Sequence, residues 1–207
     1  MTDFIAAAGA GLAQVTIGHP FDTIKVNIQN KKNWRNLKPL QLYRGAKYPL
    51  ISSTFFNCTV FPTYERTKKY TNSKMLAGFC SGLLVTPVVF FFDTATVLRQ
   101  TGQKVKIRNI INGYGKWPTL TRECIAMSVY FSSYDYLKSQ NINPLICGSM
   151  AGIINWSLTY PIDVVRNRQM AQNIDLITAI KQKNLWRGFS ICLTRAVVVN
   201  AGIFGTY

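Results

Sequence analysis

The stretch His19-Pro20-Phe21-Asp22-Thr23-Ile24-Lys25 decides how the chain is read, because it recurs as Tyr160-Pro161-Ile162-Asp163-Val164-Val165-Arg166. Both copies have the form Pro-x-acid-x-x-cation. Between them, Phe91-Phe92-Asp93-Thr94-Ala95-Thr96 keeps the acid but has Phe91 in the proline's place and Thr96 in the cation's. The three acids follow one another at 71 and 70 residues, and a fixed period of this length marks a repeated structural unit. Other positions agree in the same register. Gln29 and Gln100 each follow their Asp by seven residues, with Met170 in the third copy. Upstream, Ala7 and Gly11, Gly78 and Gly82, and Gly148 and Gly152 give a small-xxx-small spacing that lets membrane helices approach closely. Downstream, Tyr64-Glu65-Arg66-Thr67-Lys68 matches Tyr134-Asp135-Tyr136-Leu137-Lys138, and Tyr207 opens a third copy whose acid and cation would lie beyond it. The repeats span about 1–70, 71–140 and 141–207, the third cut at its C-terminal end, and together make one domain.

Working outward from the motifs, the charges are few and placed. Of 207 residues, 24 are Lys or Arg and 8 are Asp or Glu, giving a net charge of +16, yet only 15% are charged and 48% are hydrophobic. A disordered basic tail lacks that apolar content. Four uncharged windows approach the roughly 17–25 residues of a membrane span: Phe4 to Phe21, Tyr48 to Tyr64, Met75 to Phe92 and Ser139 to Ile162. Two more, around Cys124 to Tyr134 and Ala196 to Tyr207, reach that length by admitting one cation each, Arg122 and Arg195. The expectation is an all-α membrane protein with six transmembrane helices, two per repeat, around a central cavity. A soluble bundle of long buried helices is the alternative on pattern alone.

The segments 25–47, 93–116 and 163–188, one inside each repeat, hold 17 of the 24 Lys and Arg residues. With two helices per repeat these loops fall on one side of the membrane, the internal side by the positive-inside rule. Ile107, Ile110 and Ile111, and Ile174, Ile177 and Ile180, predict short helices lying along the interface. A nucleic-acid-binding protein offers no reason for this partition. The five cysteines show no CxxC or Cys/His spacing, so neither a zinc site nor a disulfide framework follows. His19, the only histidine, reads as structural beside Pro20. The N-terminus has no basic n-region and no Arg-rich presequence character, so any address is expected inside the chain.

These motifs resemble the mitochondrial carrier family, solute carrier family 25. The resemblance rests on the Pro-x-acid-x-x-cation signatures of the odd helices, the aromatic-acid-x-x-Lys signatures of two even helices, and Tyr43-Arg44-Gly45 and Trp186-Arg187-Gly188 entering helices two and six. The repeats are shorter than is usual in the family, so the chain is similar to a compact member, of a size that suggests the carrier of a large DNA virus. The resemblance implies a multi-pass protein of the mitochondrial inner membrane, that of the host if the chain is viral. It implies alternating access to one central site. Asp22, Lys25, Gln29, Asp93, Gln100, Asp163 and Arg166 would form the matrix gate, with at most two full ion pairs because Thr96 lacks a charge. Glu65 with Lys68, and Asp135 with Lys138, would form the cytoplasmic gate.

Twelve residues back from each aligned tyrosine, about three helical turns, stand Ser52, Arg122 and Arg195, where the resemblance places substrate contacts. An arginine at membrane depth is a functional-site hypothesis by default, and its fork suits carboxylates and phosphates. The plainer alternatives are a local Arg122–Glu123 pair or a snorkelling side chain. Two arginines favour an anion. The expected substrate is a nucleotide, deoxynucleotides included, moved by exchange, its phosphates bridging Arg122 and Arg195 while Ser52, Gln14 or Asn155 meets base or sugar. Against this, Arg122-Glu123 resembles carriers of amino-acid-like or zwitterionic substrates, with Glu123 receiving an amino group; a keto acid or phosphate comes third. A carrier-fold scaffold without transport leaves the two arginines unexplained, and an enzyme has no nucleophile–base pair here.

Gly45, Gly115 and Gly188 align before the even helices. The resemblance implies cardiolipin bound at those helix N-termini, with Gly102 aiding, and no cofactor or metal; tight turns explain the same glycines. The expected state is a monomer.

Overall fold

The repeat pattern becomes six long helices, each pair of a repeat joined through a short one. A computed structural model describes the backbone of residues 2–71 and 73–204 and the side chains of 15–71, 73–108, 110–144, 146–195 and 198. The long helices are α1 (Thr2–Gln29), α3 (Lys47–Thr71), α4 (Lys74–Gln100), α6 (Lys116–Ser139), α7 (Pro144–Gln172) and α9 (Phe189–Phe204). Between the members of each pair lie α2 (Pro39–Leu42), α5 (Ile107–Ile111) and α8 (Leu176–Lys181). The last two fall where the isoleucine patterns placed interfacial helices, although Ile174 precedes α8. The apolar window expected from Ser139 is broken by a turn with Asn141 in the left-handed region, φ 57°, so the helix begins only at Pro144. In α4 a proline stands not at Phe91 but at Pro87, one turn earlier, so that helix also loses an interior backbone donor.

The helices form a ring. α3 lies along α4, α4 along α6, α6 along α7, and α9 along α1, while Tyr160 and Val164 of α7 pack against Cys192 and Phe189 of α9. Three equivalent glycines lock the repeats together. A side chain on Gly45 would meet Arg99 Cβ at 3.0 Å and Thr96 O at 3.4 Å. One on Gly115 would meet Met170 Cγ at 3.1 Å and Arg166 O at 3.7 Å; one on Gly188 would meet Tyr160 Oη at 3.2 Å and Lys25 O at 3.7 Å. Each repeat's glycine therefore sits on the next repeat's cation position, 96, 166 or 25, and the third returns to the first. Their φ values of 89°, 105° and 86° require the left-handed region that glycine enters freely. The residues before the two prolines complete the pattern: His19 Nε2 lies 3.0 Å from Arg44 O, and Tyr160 Oη donates to Arg187 O at 3.0 Å. His19 is thus a structural anchor.

The expected small-residue contacts are met in repeat two. Cβ atoms on Gly78 and Gly82 would stand 2.6 Å from Met127 O and 2.5 Å from Glu123 O, so α4 and α6 touch through their backbones. Gly148 and Gly152 differ, with only Tyr130 Oη near Gly148 at 3.8 Å and nothing within 4 Å of Gly152 among the described residues. The side chains of Ala7 and Gly11 lie outside the described residues.

The bundle is polar inside and apolar outside. Lys25, Gln29, Gln100, Glu123, Asp163, Arg166 and Arg168 are buried, while Met75, Leu76, Phe79, Leu83 and Leu84 on α4 and Ile146, Met150, Ile153 and Leu158 on α7 are exposed along helical stripes. Such extended apolar surface needs a lipid or protein cover. By length and composition, α4 alone among the described helices qualifies as a span; the others carry polar residues toward the interior, which dilutes their apolar signal. The hydroxyls of Ser81, Thr86, Thr96 and Thr101 return to carbonyls four residues back, satisfying themselves within their own helix.

Candidate functional site

Each Pro-x-acid-x-x-cation motif puts its acid and cation three residues apart, on one face of a helix, and the ring packing turns those faces toward one another. Lys25 Nζ stands 2.7 Å from Asp163 Oδ2, with both side chains less than one-tenth exposed. Arg166 Nη2 stands 2.9 Å from Asp93 Oδ2 and 3.4 Å from Asp163 Oδ1. Two inter-helix pairs therefore form, each joining the acid of one repeat to the cation of the next.

Polar side chains brace the Lys25–Asp163 pair. Gln29 Nε2 donates to Tyr160 Oη at 3.2 Å and to Asp163 Oδ2 at 3.5 Å, and Asn167 Nδ2 donates to Gln29 Oε1 at 2.8 Å and to Asp163 Oδ2 at 3.2 Å. The Lys25 ammonium also lies over the Trp156 ring, 4.5 Å from its centroid. Gln100 does not act as its counterpart. Its backbone carbonyl accepts from Asn27 Nδ2 at 3.1 Å, and its buried Nε2 has no hydrogen-bond partner among the described residues.

At the level of the expected substrate contacts, the two arginines are neutralised. Arg122 pairs through Nη1 with Glu123 Oε1 and lies over Trp156, 5.1 Å from the ring centroid. Glu123 is fully buried and its Oε1 also faces Arg166 Nη1 at 3.5 Å, tying this level to the ring below. Arg195 Nε stands 2.8 Å from Asp22 Oδ1. Each arginine expected to meet a phosphate therefore stands beside a carboxylate, Glu123 for Arg122 and Asp22 for Arg195. Among the described residues, the buried groups at this level without a hydrogen-bond partner are two acceptors, Glu123 Oε2 and Asn155 Oδ1, and two donors, Arg122 Nε and Arg195 Nε, the last an ion-pair partner of Asp22 whose geometry makes no hydrogen bond. Ser52 is buried on α3; the side chain of Gln14 lies outside the described residues.

At the opposite end, Asp135 Oδ2 gathers Lys68 Nζ at 3.2 Å, Tyr64 Oη at 3.1 Å and Lys74 Nζ at 3.6 Å. The expected pairings within each motif are replaced by this pairing across repeats, since i and i+3 side chains on one helix both face the neighbouring helix. Glu65 and Lys138 are exposed. The third copy of the motif, expected to open at Tyr207, lies outside the described residues.

Two participants escaped the sequence reading. Trp156, under both Lys25 and Arg122, stands seven residues, two helical turns, before Asp163, a spacing that puts both on one face. Arg168 is fully buried and donates to Gln29 O at 3.2 Å, Ala179 O at 3.2 Å and Asn184 O at 3.3 Å, joining α1, α7 and the segment around α8. Among the described residues, no group of His, Cys, Asp and Glu could hold a metal ion.

A ring of repeats closed by inter-helix ion pairs, with a charged centre and an apolar exterior, is the architecture of a membrane carrier. The family profile described as mitochondrial carrier protein matches residues 1–75 and 138–207, and the chain belongs to that family, as a multi-pass transporter of the mitochondrial inner membrane. The unmatched stretch is mostly repeat two, whose motif has lost its proline and cation. The chain is 28% identical to the mitochondrial basic amino acids transporter of Bos taurus over 265 aligned positions, which cover 99% of this chain and 89% of that protein. It is 27% identical to a mitochondrial arginine transporter of Arabidopsis thaliana, covering 99% and 88%. It is 24% identical to a glutamate/glycine mitochondrial carrier of Schizosaccharomyces pombe, covering 99% and 92%.

Proposed function

We infer that this carrier moves a basic amino acid, by exchange and with alternating access, rather than a nucleotide. The observation that carries the reading is the central carboxylate Glu123, fully buried, with one oxygen held by Arg122 and Arg166 and the other without a hydrogen-bond partner among the described residues. An ammonium or guanidinium supplies donors to that oxygen and to Asn155 Oδ1, whereas a phosphate brings a donor to neither. Arg195 is suited to the substrate's α-carboxylate. The similarity to transporters named for basic amino acids and for arginine supports the same choice.

In this reading the Lys25–Asp163 and Asp93–Arg166 pairs close the matrix side and Lys68–Asp135 acts on the cytoplasmic side. Cardiolipin is assigned to the N-termini of α3, α6 and α9 behind Gly45, Gly115 and Gly188. A groove of about 570 Å³ beside Gly45, lined in part by Arg44, Lys47, Arg99 and Lys104, is suited by charge to its phosphates.

The test is uptake of labelled L-arginine into liposomes holding the purified full chain and loaded with lysine or arginine. Uptake should depend on the internal load and fall about ten- to hundredfold in Glu123→Gln, the weight of a charge-assisted hydrogen bond. Uptake of nucleotides in place of arginine would return the assignment to the nucleotide class.

A further inference from the structure

The matrix-side ring lacks its third cation, and the position of that vacancy identifies a second duty for Arg195. In the two complete links the acid of one repeat meets the cation of the next, Asp93 with Arg166 and Asp163 with Lys25. The same order assigns Asp22 to position 96, where Thr96 instead returns its hydroxyl to Phe92 O at 2.8 Å. Asp22 turns the other way, across the α1–α9 seam, and reaches Arg195 Nε at 2.8 Å, with the two side chains 36% and 22% exposed. Arg195 is the residue that the repeat places at substrate level on α9.

We propose that Arg195 is the third cation of the matrix-side gate and that the substrate's carboxylate loosens this gate by taking Arg195 from Asp22. Substrate recognition and gate opening then share one side chain. The pair is partly exposed, so a competing carboxylate displaces Asp22 at small cost, unlike the buried Lys25–Asp163 link. The displacement step rests on the amino-acid reading above; the gate assignment does not.

The experiment has a substrate-free arm and a transport arm. Without substrate, the purified full chain in lipid nanodiscs should melt about 2–4 °C lower as Arg195→Gln, and adding Thr96→Lys should restore the loss by giving Asp22 a cation in the usual ring position. Arg195→Gln without a shift, or a shift that Thr96→Lys leaves in place, overturns the gate assignment. In liposomes, both Asp22→Asn and Thr96→Lys release Arg195, so each should lower half-saturation for L-arginine about two- to fivefold, the range of an exposed ion pair. Agmatine, which has the guanidinium but no carboxylate, should keep its half-saturation. Equal changes for both compounds in both variants overturn the displacement step. If the parent chain moves neither compound, the amino-acid reading and the displacement step fall together, and melting alone decides whether Arg195 closes the gate.

Discussion

Removing Asp163 should cost the folded protein more than removing Lys25, although the two form one ion pair. At 2.7 Å the gross attraction is about 6 kcal/mol for an effective dielectric of ~20. Losing one partner of a buried pair costs about 3–5 kcal/mol, because the other charge stays buried alone. Asp163 is not alone without Lys25: Arg166, Gln29 and Asn167 still reach it. Without Asp163, Lys25 retains the faces of Trp156 and Tyr160, worth about 0.5–2 kcal/mol, while Arg166 keeps Asp93. Asp163→Asn should therefore cost about 3–5 kcal/mol and Lys25→Met about half as much. The double variant should cost less than the sum by at least about 1 kcal/mol. Reversible SDS titration in mixed micelles measures all three. A larger loss for Lys25→Met, or strict additivity, would refute the claim that the carboxylate is the better-supported member.

Gly82→Ala and Gly78→Ala should each destabilise the chain by about 1–3 kcal/mol in the same titration, since the added carbon meets backbone rather than a yielding side chain; Gly152→Ala, with nothing within 4 Å among the described residues, should be neutral within about 0.5 kcal/mol. Arg168→Met strands two buried carbonyls and a part-buried one and should cost about 2–4 kcal/mol, and a value under about 1 kcal/mol would contradict its bracing role. Asp175 caps α8 by accepting from Thr178 N at 3.2 Å, and that hydrogen bonding holds its carboxyl below the usual carboxylate range. The cap is therefore intact above the unfolded value of about 3.9 and is lost as pH falls through the depressed folded value. The protection of the Thr178 amide, measured as exchange relative to the intrinsic rate at each pH, should fall on acidification, and Asp175→Ala should show the lower protection already at neutral pH.

The periodic features were legible in the sequence because three copies of one unit must make equivalent contacts. Position 25, 96 or 166 receives the glycine of the preceding repeat in every case, and two of the three ring pairs follow from the spacing of acid and cation. The departures were not legible. Nothing near Thr96 in the sequence indicates that Asp22 will turn to a residue 173 positions away; that contact depends on ring closure. Arg122 and Arg195 announced themselves as cations in apolar stretches, and the sequence already offered Glu123 as a local partner of Arg122, but Asp22 as the partner of Arg195 became apparent only in three dimensions. Arg168 lay in a loop already rich in cations, so its burial had no sequence signal.

The Asp22–Arg195 contact also constrains the order in which this lineage can change. In a carrier with a cation at position 96, the α9 contact residue is free to mutate and explore new cargo. Under the gate assignment proposed above, a substitution at Arg195 would alter cargo choice and closure in the same step, so most such variants would be lost before selection could act on what they carry. A lysine arriving first at position 96 would give Asp22 a second partner and lift that restriction. The threonine thus makes the route to a new substrate run through position 96 before it reaches Arg195.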